Sequence, residues 1–370
     1  MRKLMFIATI AGFITFMISC HKSNVSAPAG ITTLELPPTT ARYYNTETEN
    51  YNEGINDKAT LGRVLFYDGH LSLNNAISCG SCHKQAMAFA DGKQFSTGYE
   101  GRLTNRNAQS IANLKGRDTT FYSDFLSTSS FPLFWDGRET VVKNLINRPI
   151  TNHVEMGISD PAVLPAKLAA LPFYPPLFEK AYGDANITSD RISECVAAFI
   201  VSIQAHNTRF DKYKAGDRSA LTALETQGLN VFTTKYNCDN CHRVLTDNYY
   251  SSGFVDIGLD ENYPDKGNGN VTGNSRDDGK FGIPSLRNIA LTAPYMHDGR
   301  FKTLDQVLEH YSHGIQNSAN LDELLKDGSL KPRAMNITEQ EKVALVAFLN
   351  TLTDYSMITD PKFSNPFKTN

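Results

Sequence analysis

The sequence predicts a mainly α-helical chain built as two related lobes, and three observations carry that expectation. Apolar residues recur at helical spacing, as in Ile192, Cys195, Val196, Phe199, Ile200 and Ile203, while strand-like alternation is scarce. A Cys-x-x-Cys-His pentad occurs twice, as Cys79-Gly80-Ser81-Cys82-His83 and as Cys238-Asp239-Asn240-Cys241-His242, 159 residues further on. Each pentad is followed by related text, Phe134-Trp135-Asp136-Gly137-Arg138 in one half and Tyr295-Met296-His297-Asp298-Gly299-Arg300 in the other. Their Asp-Gly-Arg triplets lie 162 residues apart. Such nearly equal offsets point to internal duplication of one unit.

Each pentad reads as an attachment site for c-type haem: two thiols add across the porphyrin vinyl groups, and the following His offers its imidazole to iron. A zinc site built from the two Cys-x-x-Cys pairs is the competing reading, and it leaves both adjacent histidines unexplained. The expected fold is therefore two cytochrome c-like lobes, each wrapped round a haem.

The elements follow in order. Residues 1–19 read as a secretory leader, with Arg2 and Lys3 before the largely apolar run Leu4 to Ile18. That run is shorter than the roughly 20 residues of a spanning helix. Ser19-Cys20 resembles a lipoprotein cleavage site, so Cys20 is the expected lipidation site and a lipid anchor the only expected membrane contact. Residues 20–48 read as a flexible tether, rich in Ser, Thr, Pro and Ala. The first haem domain is expected over 49–215, the second over 216–360, and a tail over 361–370. Within them, Thr188 or Ser189 caps the helix carrying Cys195, and Thr338-Glu339-Gln340-Glu341 is a capping box. Pro172, Pro175 and Pro176 break a helical stretch, and Pro264 to Gly282 reads as a long solvated loop.

Composition narrows the function. Formal net charge is −3; loss of Arg2 and Lys3 with the leader leaves 34 basic and 39 acidic residues, a net −5. Nothing is basic enough to argue for nucleic acid. Of six cysteines, Cys20 goes to lipid and four to haem, leaving Cys195 as a buried core thiol. Export agrees with haem attachment outside the bacterial cytoplasm, so the expected location is periplasm-facing or in the cell envelope.

From about residue 51 to 355 the chain resembles the bacterial di-haem cytochrome c peroxidases and the related MauG-type enzymes. The likeness is carried by Leu61-Gly62-Arg63-Val64-Leu65-Phe66, both pentads, Phe134-Trp135-Asp136-Gly137-Arg138, Val154-Glu155-Met156 and Tyr174-Pro175-Pro176-Leu177-Phe178. Phe210-Asp211-Lys212-Tyr213, Pro284-Ser285-Leu286-Arg287-Asn288 and Pro294-Tyr295-Met296-His297-Asp298-Gly299 extend it. The resemblance implies reduction of hydrogen peroxide to water, with electrons from a small redox protein entering at the C-terminal haem and used at the N-terminal one. It also implies His83 and His242 as iron ligands, Glu155 as the acid-base carboxylate beside the peroxidatic haem, and Trp135 on the electron path. Asn107, with the carbonyls of Thr292 and Pro294, matches the family's calcium site, an all-oxygen set suited to a hard cation. His297 matches a residue near the haem propionates, His153 is a candidate neighbour of Glu155 or a surface residue, and a homodimer is among the states the resemblance allows.

Three positions depart from the peroxidase pattern. Tyr311 stands where those enzymes place a Met ligand on the second haem, as in MauG-type proteins, with His310 and His313 as competing ligands and Met296, Met335 and Met357 as weaker ones. A phenolate favours the higher iron oxidation state more than a thioether does. Tyr99 falls where many peroxidases carry a displaceable distal His, which predicts a peroxidatic haem open as isolated. Leu145 replaces a polar distal residue. The leading expectation is a peroxidase; a MauG-type oxidase of a protein or organic substrate, and a non-catalytic electron carrier, are the alternatives.

Overall fold

The computed structural model describes residues 31–34, 42–44, 54–114, 133–246 and 253–369. The leader, Cys20 and most of the tether lie outside the described residues. The architecture is helical, with two short two-stranded sheets, and the buried apolar side chains fall into two clusters. No described helix is long and apolar enough to cross a membrane.

The first cluster is built on the crossing of α1 (Ile55–Tyr67) and α4 (Ser189–Ser202). Gly62 lets the two backbones touch: an added Cβ would lie 1.8 Å from the Cys195 carbonyl oxygen. Phe66 and Phe199 then pack with ring centroids 5.2 Å apart. Cys195 is fully buried, and that burial pushes its thiol up to about 12. Thr188 caps α4 by accepting from the Arg191 backbone N–H at 3.1 Å. The second cluster repeats the device with α6 (Ala223–Asn230) and α8 (Glu339–Asn350). A Cβ on Gly228 would lie 1.9 Å from the Ala344 carbonyl oxygen, and Phe232 packs on Phe348 at 5.4 Å. The expected capping box of Thr338 and Glu341 opens α8.

A second arrangement also occurs twice. Asn113 and Asn288 both take positive φ, 62° and 60°. The Asn113 N–H donates to Ile203 O and its Oδ1 accepts from Ala205 N, at 2.8 and 3.1 Å. Asn288 does the same with Leu352 O and Asp354 N, at 2.9 and 2.7 Å. Each Asn thus pins a loop to the C-terminal end of its lobe's crossing helix.

Three segments differ from the sequence expectation. Pro175 and Pro176 sit in the first turn of α3 (Tyr174–Tyr182), where a missing N–H costs nothing, so they start a helix as well as ending the previous one. The stretch from Pro264 to Gly282 is not simply solvated loop. Asp265 pairs bidentately with Arg106 at 2.7 and 2.9 Å, and β3 (Phe281–Gly282) pairs antiparallel with β2 (Phe254–Val255). Within the tether and tail, β1 (Ile31–Leu34) pairs with β4 (Phe367–Thr369). Tyr43, Tyr44 and Phe363 join the first core, burying aromatic surface that a free linker would expose.

A candidate di-haem centre

One cavity of about 490 Å³ runs between the lobes, and both pentads contribute to its wall. Each pentad histidine is fixed by its own surroundings. His83 Nδ1 lies 2.8 Å from the Phe89 carbonyl oxygen, and His242 Nδ1 lies 3.2 Å from that of Pro284. A carbonyl only accepts, so in both rings Nδ1 carries the proton and Nε2 keeps its lone pair. Burial lowers both pKa values, which keeps the rings neutral and able to ligate. Cys79 and Cys82 flank a short helix against which Tyr67 packs, and a Cβ on Gly80 would lie 2.5 Å from that ring. The donor set, the largely apolar wall and the cavity all fit covalently held haem. Among the described residues no three His, Cys, Asp or Glu side chains converge on a metal position.

Glu155 lines the same cavity as His83. It follows α2 (Val142–Thr151) in a loop held by its own hydrogen bonds. Asn152 Nδ2 donates to Glu155 Oε1 at 2.8 Å, and the Tyr99 N–H donates to the Glu155 carbonyl at 2.8 Å. Gly98 provides the seat: a Cβ there would lie 2.2 Å from the Val154 carbonyl oxygen. Burial raises the Glu155 pKa, opposed by the nearby Arg138 charge and the Asn152 bond. Arg138 also lines the cavity, stacked over Phe134 at 3.7 Å. Leu145 is on the wall too, whereas Tyr99 packs on Gly157 outside it and His153 is exposed.

The lobes are joined at a polar seam. Trp135 Nε1 donates to the Asn107 carbonyl at 2.9 Å, and the Asn107 N–H donates to the His297 carbonyl at 2.7 Å. The Trp135 carbonyl accepts from the Gly282 N–H at 2.8 Å, and His297 stacks on Phe281 with centroids 3.7 Å apart. Asn107 Nδ2 donates to the Lys93 carbonyl at 2.8 Å, which orients its oxygen away from that carbonyl. Asn107, Thr292 and Pro294 all line the cavity.

The three neighbouring ligand candidates separate. A π-helical turn, His310–Gly314, follows α7 (Leu304–Glu309). Tyr311 lines the cavity with Cys238, Cys241 and His242, and burial raises its phenol pKa. His310 Nε2 is 2.9 Å from the Ile257 carbonyl, while His313 is exposed and pairs with Glu309 at 3.0 Å. Met296 and Met335 also reach the cavity; Met357 lies in the first core. Sequence reasoning missed Gly98, the Arg138 charge and the Arg106–Asp265–Asp136 ion cluster. Only the repeated Asp-Gly-Arg text signalled part of this.

Comparison with known proteins decides the family. Residues 56–219 match the di-haem cytochrome c peroxidase family. A cytochrome c551 peroxidase of Nitrosomonas europaea is 33% identical over 302 residues, 80% of each chain. The chain belongs to the di-haem cytochrome c peroxidase and MauG family. It is therefore an oxidoreductase, and c-type haem is its family's cofactor. A methylamine utilization protein MauG of Methylophilus methylotrophus is 31% identical over 299 residues, covering 80% of this chain and 82% of the relative. Among solved structures, a MauG-like protein associated with microbial copper homeostasis superposes with a TM-score of 0.72 at 35% identity, covering 90% of this chain and 97% of the other.

Proposed function

We propose that this enzyme reduces hydrogen peroxide to two waters with two electrons and two protons, the electrons coming from a small redox protein. One observation carries the reading: Glu155, a carboxylate with a raised pKa, faces the cavity that also receives the His83 imidazole. Bound haem iron supplies the electrons that split the O–O bond. Cys79, Cys82 and His83 would hold one haem, and Cys238, Cys241, His242 and Tyr311 the other. Glu155 takes the proton from the near peroxide oxygen and returns it to the far one, which leaves as water. Asn152 holds the Glu155 carboxylate in place, and Arg138 stabilises its charged form. Trp135 is the hydrogen-bonded bridge for electrons entering from the second lobe. Asn107 Oδ1 with the Thr292 and Pro294 carbonyls offers a hard-cation site for calcium at the seam.

The repeated glycine crossings and asparagine clasps support descent of both lobes from one duplicated unit. Leader, Cys20 lipidation and an envelope location complete the proposal. A MauG-type oxidase is the second reading, favoured by Tyr311 on the wall beside Cys238 and His242.

A spectral assay separates these readings. Peroxide added to fully reduced holoprotein should reoxidise both haems rapidly and stoichiometrically. A long-lived spectral change on the ferric protein, with poor turnover, would select the MauG type. No response in either state would leave an electron carrier.

A further inference from the structure

Four described tyrosines lie on the cavity wall: Tyr236, Tyr263, Tyr295 and Tyr311. A phenol that loses an electron becomes strongly acidic, so its ring is readily oxidised only where a base accepts the proton. Tyr295 donates to the Ile289 carbonyl, which is no base. Tyr236 donates to Glu341, but that carboxylate is already paired with the Lys235 ammonium. Tyr311 is already proposed as a ligand. Tyr263 differs from all three. Its hydroxyl donates to Asp256 Oδ2 at 2.8 Å and accepts from the Asn320 N–H at 2.7 Å.

Asp256 is 2% exposed and makes no ion pair among the described residues. Its other contacts are donors, the Gly258 N–H at 2.8 Å and Ser318 Oγ at 2.6 Å. Tyr263 itself is only partly buried, and its ring lies on Gly279, where a Cβ would be 2.1 Å away. The ring lines the cavity, and the preceding residues Glu261 and Asn262 are exposed and lie outside its lining, so this wall segment lies at the protein surface.

We propose that Tyr263, backed by Asp256, is a redox station that passes oxidising equivalents from the cavity to a reductant at the protein surface. The proposal rests on the peroxide-reducing function above. In the step, one electron leaves the Tyr263 ring for the oxidised centre in the cavity, and the phenol proton moves to Asp256 Oδ2. Asn320 N–H and the protonated Asp256 then both donate to the phenoxyl oxygen. A one-electron reductant at the surface, a redox protein or an oxidisable organic molecule, returns the electron, and Asp256 returns the proton. Tyr263 gives peroxide-derived oxidising power an exit when the donor protein is absent.

The test is peroxide mixed with ferric holoprotein without donor, frozen and read by EPR. Expected is an organic radical signal that narrows on ring-deuterated tyrosine and is largely lost in Tyr263→Phe, which keeps both attached haems. Spin-trap adducts mapped by peptide mass on the unmutated protein should fall on Tyr263, so the test survives a variant that does not fold. A radical that is absent, or that persists unchanged in Tyr263→Phe with its adduct elsewhere, overturns the proposal while leaving peroxide reduction intact. If peroxide fails to move the haem bands at all, the proposed function fails instead. Hexachloroiridate then supplies the oxidant: a Tyr263-dependent signal supports the station, and none ends it.

Discussion

At the scale of single residues, the catalytic proposal depends on where one carboxylate sits and what it costs to ionise there. Burial raises the Glu155 pKa, so its basic form is lost as pH falls through a value above the ordinary carboxylate range. The acid limb of peroxide turnover should lie correspondingly high. Glu155→Gln should keep both haems, lose about a hundredfold or more in turnover, and lose that limb from its pH–rate profile. Unchanged turnover would remove Glu155 from the mechanism. Gly98→Ala probes the same carboxylate from behind. The new Cβ, 2.2 Å from the Val154 carbonyl oxygen and 2.9 Å from Glu155 Cα, must displace the backbone that carries Glu155. A displacement on that scale costs roughly ten- to a hundredfold in rate, with haem content unchanged by pyridine haemochrome assay. How legible these residues were differs sharply. The pentads declare their chemistry by composition and spacing. Glu155 emerges only through likeness to relatives, because a lone Glu in a loop has no pattern of its own. Gly98 was invisible, since its role is to leave room for a segment far along the chain.

At the scale of elements, motifs that sequence shows separately prove to be halves of one contact. Phe210-Asp211-Lys212-Tyr213 and Pro284-Ser285-Leu286-Arg287-Asn288 meet through Arg287, whose guanidinium donates to both Asp211 oxygens at 2.8 and 2.6 Å. Asp211 also closes the capping box of α5 (Arg209–Lys214) with Thr208. Burial alone would raise the Asp211 pKa; Arg287 and Thr208 outweigh it and hold it down at about 2. A carboxyl depressed on folding stabilises above its unfolded pKa and loses that contribution as pH falls toward the folded one. Asp211→Asn should therefore lower stability by about 2 kcal/mol at pH 7. The difference from the unmutated protein should shrink between about pH 4 and pH 2, followed by urea midpoints. A constant difference across that range would mean the ion pair is not its source. The π-helical turn at His310–Gly314 shows the limit of sequence at this scale. Three ligand candidates, His310, Tyr311 and His313, lie within four residues, and of these only Tyr311 lines the cavity. Helical periodicity alone carries no sign of that extra residue per turn.

At the scale of the whole molecule, the proposed function requires charge to cross from the second core cluster to the first. The proposed crossing is narrow: Trp135, Asn107 and His297 are linked by two hydrogen bonds of 2.9 and 2.7 Å, and the Gly282 N–H holds the Trp135 carbonyl. Sequence did not foresee how the two halves of the chain dock, because the loop from Pro264 to Gly282 looks solvated until Asp265 finds Arg106. Replacing Trp135 by Phe keeps an aromatic ring and the backbone bond to Gly282, and removes the indole N–H that binds the Asn107 carbonyl. Both haems should still attach, and the unfolding free energy should drop by about 1 kcal/mol, the value of one hydrogen bond. In stopped-flow mixing of the reduced protein with peroxide, the unmutated enzyme should reoxidise both haems in a single phase. Trp135→Phe should split that into a fast phase at the N-terminal haem and a slower one at the C-terminal haem. If the two bands still move together at the original rate, electrons cross elsewhere, and the seam serves docking alone.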